Sequence, residues 1–135
     1  MNKILFSSAR IDWATPPKIY AALNAEFQFT LDPCGLGCEG GLFGERDGLL
    51  HVPWAGERVF CNPPYGPPIT DWLQRATEAE LAVYLLPVRT DTRWFHRYVL
   101  PTAAEIRFIR GRLKFGDAKN TAPFPSMIVV FRRRP

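Results

Sequence analysis

The chain has little cysteine, little histidine and no long apolar run. It holds three cysteines, Cys34, Cys38 and Cys61, and two histidines, His51 and His96, in 135 residues. So sparse and odd a cysteine set is not the disulfide framework of a small secreted domain. Cys34 and Cys38 have no second paired-ligand motif to complete a zinc site, so no metal is expected. No apolar stretch approaches the roughly 20 residues that cross a bilayer. The opening Met1–Ser7 is too short and too weakly apolar for a secretory signal, so no membrane partner is expected and the cytoplasm is the expected location. Repeats and low-complexity segments are also absent.

Acidic residues are scarce at one end only. Residues 107–135 contain eight arginines and lysines and one acid, Asp117, whereas residues 1–106 contain nine basic residues and twelve acids. A basic end on a slightly acidic body suits an anionic polymer. With 47% apolar and 22% charged residues the chain is globular, and its length predicts a single domain over 1–135.

Proline and glycine punctuate short elements. Pro16-Pro17 can open a helix, because proline is tolerated at the first helical position. Ile19, Tyr20, Leu23 and Phe27 follow at helical spacing. Phe27–Leu31 reads as a short buried strand ending at Asp32-Pro33, and the glycine-rich stretch from Gly35 to Gly48 reads as loop. Val59–Cys61 is a second short strand. Thr70 is a candidate cap for a helix carrying Trp72, Leu73 and Ala76. Leu81–Leu86 is a continuous apolar run, as in a strand buried on both faces. Asp91 or Thr92 can cap a helix with Trp94, Phe95, Tyr98 and Val99. Glu105–Phe115 and Met127–Phe131 complete the strands. Alternating strands and helices predict an α/β domain with a largely parallel sheet. The last two strands, joined without a helix, are expected to form an antiparallel pair at one edge.

Asn62-Pro63-Pro64-Tyr65 is the sharpest chemical feature. An exocyclic amine on a nucleobase is a poor nucleophile, since its lone pair is delocalised into the ring. A site that accepts hydrogen bonds from both N–H groups makes the nitrogen more electron-rich. The Asn62 side-chain carbonyl can accept one and a backbone carbonyl, such as that of Pro63, the other. Two prolines fix two φ angles, remove two donors and push Asn62 toward an extended conformation. Tyr65 offers a flat face on which an extruded base can stack. A purely structural Pro-Pro turn is the competing reading, but the motif follows an apolar strand and precedes a helix, the expected context of a site at a strand's carboxyl end. Leu31-Asp32-Pro33-Cys34-Gly35 is a second candidate: glycine lets a backbone approach a cofactor, and Asp32 can balance a positive charge on it.

Together these residues resemble the phage-type DNA N6-adenine methyltransferases. The resemblance runs from Asp12 to Phe131 and rests on ordered blocks: Asp12-Trp13-Ala14-Thr15-Pro16, Leu31-Asp32-Pro33-Cys34, Asp47-Gly48-Leu49 with Trp54, Asn62-Pro63-Pro64-Tyr65-Gly66, Leu86–Thr92 with Trp94 and His96, and Gly111–Phe115 with Ala122-Pro123-Phe124. It implies a Rossmann-like methyltransferase sheet and S-adenosylmethionine as cofactor. It also implies DNA as partner, in a phage- or prophage-encoded protein acting in the bacterial host. By this resemblance Asn62, Pro63, Pro64 and Tyr65 form the catalytic motif. Trp13, Thr15, Pro16, Asp32, Pro33, Cys34, Gly35 and Asp47 bind the cofactor. Arg89 and Thr90 line the substrate pocket, Arg110, Arg112 and Lys114 meet phosphate, and Phe115 and Phe124 are candidates to close over a flipped base.

The chain also departs from the usual methyltransferase pattern. Asp32 and Cys61 stand only 29 positions apart, so the sheet is expected to be reduced near Asp47. The acid that holds the cofactor's ribose is not identifiable, Glu39 and Glu45 being the candidates. No separate target-recognition domain fits, so sequence preference is expected to be loose or to depend on a second subunit. Methylation of a protein glutamine amide or of cytosine N4 uses the same motif, and a reduced fold that only binds nucleic acid is the non-enzymatic alternative.

Overall fold

A computed structural model describes residues 14–34, 52–116 and 118–133. Trp13, Gly35, Asp47, Glu39 and Glu45, and the expected reduction of the sheet near Asp47, lie outside the described residues. Helix α1 (Pro17–Phe27) opens on Pro16, whose carbonyl accepts from Ile19 N (3.0 Å) and Tyr20 N (3.1 Å). Next come strand β1 (Arg58–Cys61) and helix α2 (Ile69–Gln74), which continues into a 3-10 turn at Arg75–Glu78. Strand β2 (Leu81–Pro87), a short π-type helix α3 (Phe95–Val99), and strands β3 (Glu105–Phe108) and β4 (Ser126–Arg132) complete the order.

The four strands form one sheet in the order β1-β2-β4-β3. Only β1 and β2 run parallel; β4 is antiparallel to both β2 and β3. The edge pair β3–β4 is as expected, but the largely parallel sheet is not what forms among the described residues. Both central strands are out of water on both faces. Ala82, Tyr84, Leu86, Met127, Val129 and Phe131 face one side, against Trp54, Trp72 and Phe95. Leu81, Val83, Leu85, Ile128 and Val130 face the other, against Leu23, Phe27, Phe115 and Phe124. A continuous apolar run thus reports burial on two faces, whichever way the neighbouring strand points.

Three local expectations need correction. Phe27–Leu31 is not a strand: Phe27 ends α1, and Gln28 turns left-handed at φ 54°. The Phe29 N–H goes to Asn24 Oδ1 at 2.9 Å rather than to a neighbouring strand, leaving one parallel bridge, Leu31 to Val59. Thr70 does not cap α2, whose cap position is Pro68, two residues earlier, with no side-chain cap bond, because Pro67-Pro68 and the positive φ of Gly66 set the turn. The Glu105–Phe115 strand stops at Phe108; Ile109 N still reaches Ser126 O at 3.0 Å, and Gly111 at φ 77° then takes the chain away. Thr92 does cap the helical residues Arg93-Trp94 that lead into α3, its Oγ1 accepting from Phe95 N at 3.3 Å and donating to Arg89 O at 2.7 Å. No helix of the described residues is long and apolar enough to cross a membrane.

One ion cluster ties α1 to the edge of the sheet. Arg107 on β3 donates to both carboxylate oxygens of Glu26 at 2.6 and 2.7 Å and to Glu105 at 2.6 Å, with its guanidinium 5.3 Å from the Phe27 ring centre. Hydrogen bonding to Arg107 lowers both carboxyl groups below the ordinary value of 4.5. The unfolded chain therefore takes up protons first on acidification. The stabilisation is complete above pH 4.5 and drains away as pH falls through the lowered native values. Arg107→Ala should lower the melting temperature modestly at neutral pH, as befits a solvent-screened cluster. The difference from the wild type should vanish in acid well below the native values, and thermal unfolding against pH measures it.

Candidate active site

Strands β1, β2 and β3 all point the same way, so their carboxyl ends and the start of β4 form one edge of the sheet. Cys61 pairs with Tyr84, Leu86 with Met127, and Phe108 with Met127. The segments leaving this edge carry the Asn-Pro-Pro-Tyr motif, the Arg89–Thr92 turn and the stretch from Arg110 to Phe124. Such a crevice outside the carboxyl ends of strands is where open α/β sheets bind ligands. Here it is a cavity of about 920 Å³ walled by Asn62–Thr70, Pro87, Arg89, Thr92–Trp94, Pro123 and Phe124.

Asn62, only 9% exposed, leaves β1 directly into the wall of this cavity. Its Nδ2 donates to Thr15 Oγ1 at 3.1 Å, bringing together two residues 47 positions apart. Pro63 and Pro64 are buried. Tyr65 is half-buried and anchored at both ends: its hydroxyl donates to Leu85 O at 3.2 Å, and its ring meets Phe124 and Phe115 edge-on at 5.7 and 6.5 Å between centres. Arg89 lies over the Phe124 ring, 5.5 Å from its centre.

The remaining candidates divide by place. Phe124 lines the cavity; Phe115 is behind it, 2% exposed, supporting Tyr65. Thr90 is exposed and outside the cavity wall, its carbonyl accepting from His96 Nε2 at 2.7 Å. Arg110, Arg112 and Lys114 are exposed on the segment between β3 and β4. Asp32 is exposed, and Pro33 and Cys34 are buried, just beyond the Leu31 bridge on the same edge. Arg93, Trp94, Ile69 and the Pro67-Pro68 pair were not singled out for the site by the sequence. Their signal was position alone, immediately after the β1 motif and the β2 run. Among the described residues no group of three or more His, Cys, Asp or Glu is placed to hold a metal ion.

The family model described as DNA N-6-adenine-methyltransferase (Dam) matches residues 4–134. The chain belongs to this family. Its activity is accordingly that of a DNA N6-adenine methyltransferase. A DNA N-6-adenine-methyltransferase of Haemophilus phage HP1 (strain HP1c1) is 26% identical over 133 aligned residues, which cover 88% of this chain and 77% of that protein. No solved structure matches the chain.

In this methyltransferase the basic C-terminal stretch is not one surface. Arg107 is engaged by two carboxylates, and Arg132 lies 5.7 Å from the centre of the Phe27 ring. Arg110, Arg112 and Lys114 instead leave the edge that carries the cavity. Replacing Arg112 and Lys114 by alanine should weaken DNA binding on all sequences alike. The slope of log affinity against log salt should become shallower by roughly 0.9 for each phosphate the protein no longer neutralises. An unchanged slope in a titration of binding against salt would show that neither side chain meets phosphate.

Proposed function

We propose that this methyltransferase uses S-adenosylmethionine to methylate adenine N6 with the target base swung out of the helix into the cavity beside Asn62. The observation that carries this is the position of Asn62–Tyr65 in the cavity wall at the sheet's carboxyl edge, beside an exposed cationic segment. The amine of a paired adenine lies inside the duplex, so the base must leave the stack to be reached. A cavity of about 920 Å³ has room for a base and the reacting end of a cofactor.

The residues present fit S-adenosylmethionine. Asp32 offers an exposed carboxylate beyond the Leu31 bridge, suited to the cofactor's ammonium group. Pro33 and Cys34 adjoin it, and Trp13, Pro16, Gly35 and Asp47 complete the proposed set. When bound, this cofactor supplies an electrophilic methyl group on a sulfonium centre.

The protein's part is to make the amine reactive and hold it in line. The Asn62 side-chain carbonyl accepts one N–H of the target amine and the Pro63 carbonyl accepts the other, which raises electron density on the nitrogen. Both acceptors would then stabilise the positive charge that builds on this nitrogen as it takes the methyl group. The surplus proton departs to solvent along one of these hydrogen bonds. No strong base is needed, because the amine carries its charge only after attack. Pro63 and Pro64 present no N–H to compete. Tyr65 and Phe124 give the base an aromatic surface, each such stacking partner being worth about 1–3 kcal/mol in single-strand recognition, and Arg89 and Arg93 form a cationic rim.

Asn62→Ala should lower methyl transfer at least about a hundredfold, the scale of removing one preorganised charge-stabilising group, without lowering the melting temperature appreciably. Transfer of labelled methyl from S-adenosylmethionine to unmethylated DNA, with nucleoside analysis of the product, checks this. Normal turnover in the folded variant would remove Asn62 from the chemistry.

A further inference from the structure

The resemblance to other methyltransferases places Thr15 among the cofactor residues, yet its hydroxyl meets the catalytic motif: Asn62 Nδ2 donates to Thr15 Oγ1 at 3.1 Å. We infer that Thr15 is a positioning residue for methyl transfer, its hydroxyl anchoring the Asn62 side-chain amide at the cavity wall. This rests on the role proposed above for Asn62.

The terminal torsion of a side-chain amide is broad, so packing alone hardly fixes the plane of the group and hydrogen bonding does. Asn62 is 9% exposed, so bulk water does little of that work. The two ends diverge from one carbon, so an acceptor on the nitrogen fixes where the oxygen points. The opposite orientation would set the NH₂ of Asn62 against the NH₂ of adenine. Two donors would then face each other and the amine would gain no electron density. Donation from Nδ2 also polarises the amide, making Oδ1 a stronger acceptor.

The hydroxyl can do this because its backbone is held on both sides. Before it, Ala14 O accepts from Gly116 N at 3.0 Å, an N–H aimed there by a positive φ of 52° at Gly116. After it, Pro16 (φ −55°) starts α1 and restricts Thr15 to extended geometry. Helix α1 in turn buries Leu23 and Phe27 in the core. Gly116 directly follows Phe115, which packs against Tyr65. The Ala14–Pro16 segment is therefore clamped between the catalytic motif and the segment that precedes β4.

The test is steady-state kinetics on Thr15→Val, Thr15→Ala, Thr15→Ser and Asn62→Ala, each with its melting temperature. Thr15→Val removes the acceptor at nearly constant volume and should lower kcat about ten- to a hundredfold, the scale of stranding one buried polar group. KM for S-adenosylmethionine and for DNA should change little. Thr15→Ser, which keeps the hydroxyl, should regain most of the loss. Thr15→Ala, which cannot overpack, gives the same reading if the valine variant folds poorly. A raised KM for S-adenosylmethionine with unchanged kcat would overturn the inference and make Thr15 a cofactor contact. An equal loss in the serine variant would also overturn it, since the hydroxyl would then not be what acts. If Asn62→Ala is inactive while Thr15→Val and Thr15→Ala turn over normally, this inference alone fails. If Asn62→Ala itself turns over normally, the role of Asn62 fails first.

Discussion

Seven residues of β2 lie opposite seven of β4, from the Leu81–Arg132 pair to Pro87–Ser126, with almost every side chain out of water. A backbone buried on both faces must spend its N–H and C=O groups on neighbouring strands. That requirement puts β2 and β4 in the middle of the sheet and leaves β1 and β3 for the edges. It also makes the helices cover both faces, since each face has an apolar surface to hide. Once the centre is set, three strands end at one edge, and the irregular segments beyond it are the part of the molecule freed from the ladder. The Asn-Pro-Pro-Tyr motif is found there because a side chain in the ladder is already committed to packing, whereas one just past it can turn toward a ligand.

What the sequence shows of this is uneven, for physical reasons. The two apolar runs reveal two-sided burial but not strand direction: Met127–Phe131 is antiparallel to β3, as the helix-free connection predicts, and antiparallel to β2 as well, which its composition does not show. The short stretch after α1 looks like a strand by composition. Asn24, five residues before Phe29, diverts a ladder donor to its own side chain, and Phe29 is drawn into ring contacts with Tyr20, Phe27 and Phe60. The Asn-Pro-Pro-Tyr motif is legible because its chemistry is local: two fixed φ angles, two missing donors and an amide. Thr92 is legible as a cap for the same reason. The bond between Thr15 and Asn62 spans 47 positions, and no local pattern announces it.

Charge is where the sequence overcounts. Eight basic residues in the last 29 positions look like a single footprint for DNA. Folding spends some of them internally. Glu26 and Glu105 hold Arg107, and the Phe27 ring has Arg107 and Arg132 near it at 5.3 and 5.7 Å. Carboxylates from the acidic body thus neutralise part of the basic end. What remains at the cavity edge is smaller and more localised: Arg110, Arg112 and Lys114, with Arg89 and Arg93 at the rim. A few cations beside one cavity would position a phosphate backbone, whereas the same number spread around a domain would bind it without register.

Rigidity in the site is divided between backbone and side chain. A carbonyl between two prolines is aimed by covalent rings, and no neighbour is needed to hold it. A side-chain amide has no such constraint: it turns about one soft terminal torsion, and hydrogen-bond partners hold its plane. The motif therefore builds in the orientation of one acceptor and leaves the other to be set from outside. The outside partner is a hydroxyl on the segment that begins α1, itself tied to the stretch carrying Phe115. Any displacement of that segment, or of the Gly116 turn, would reach the amide without touching the Asn-Pro-Pro-Tyr residues. Four residues thus suffice to state the chemistry but not to hold it in place.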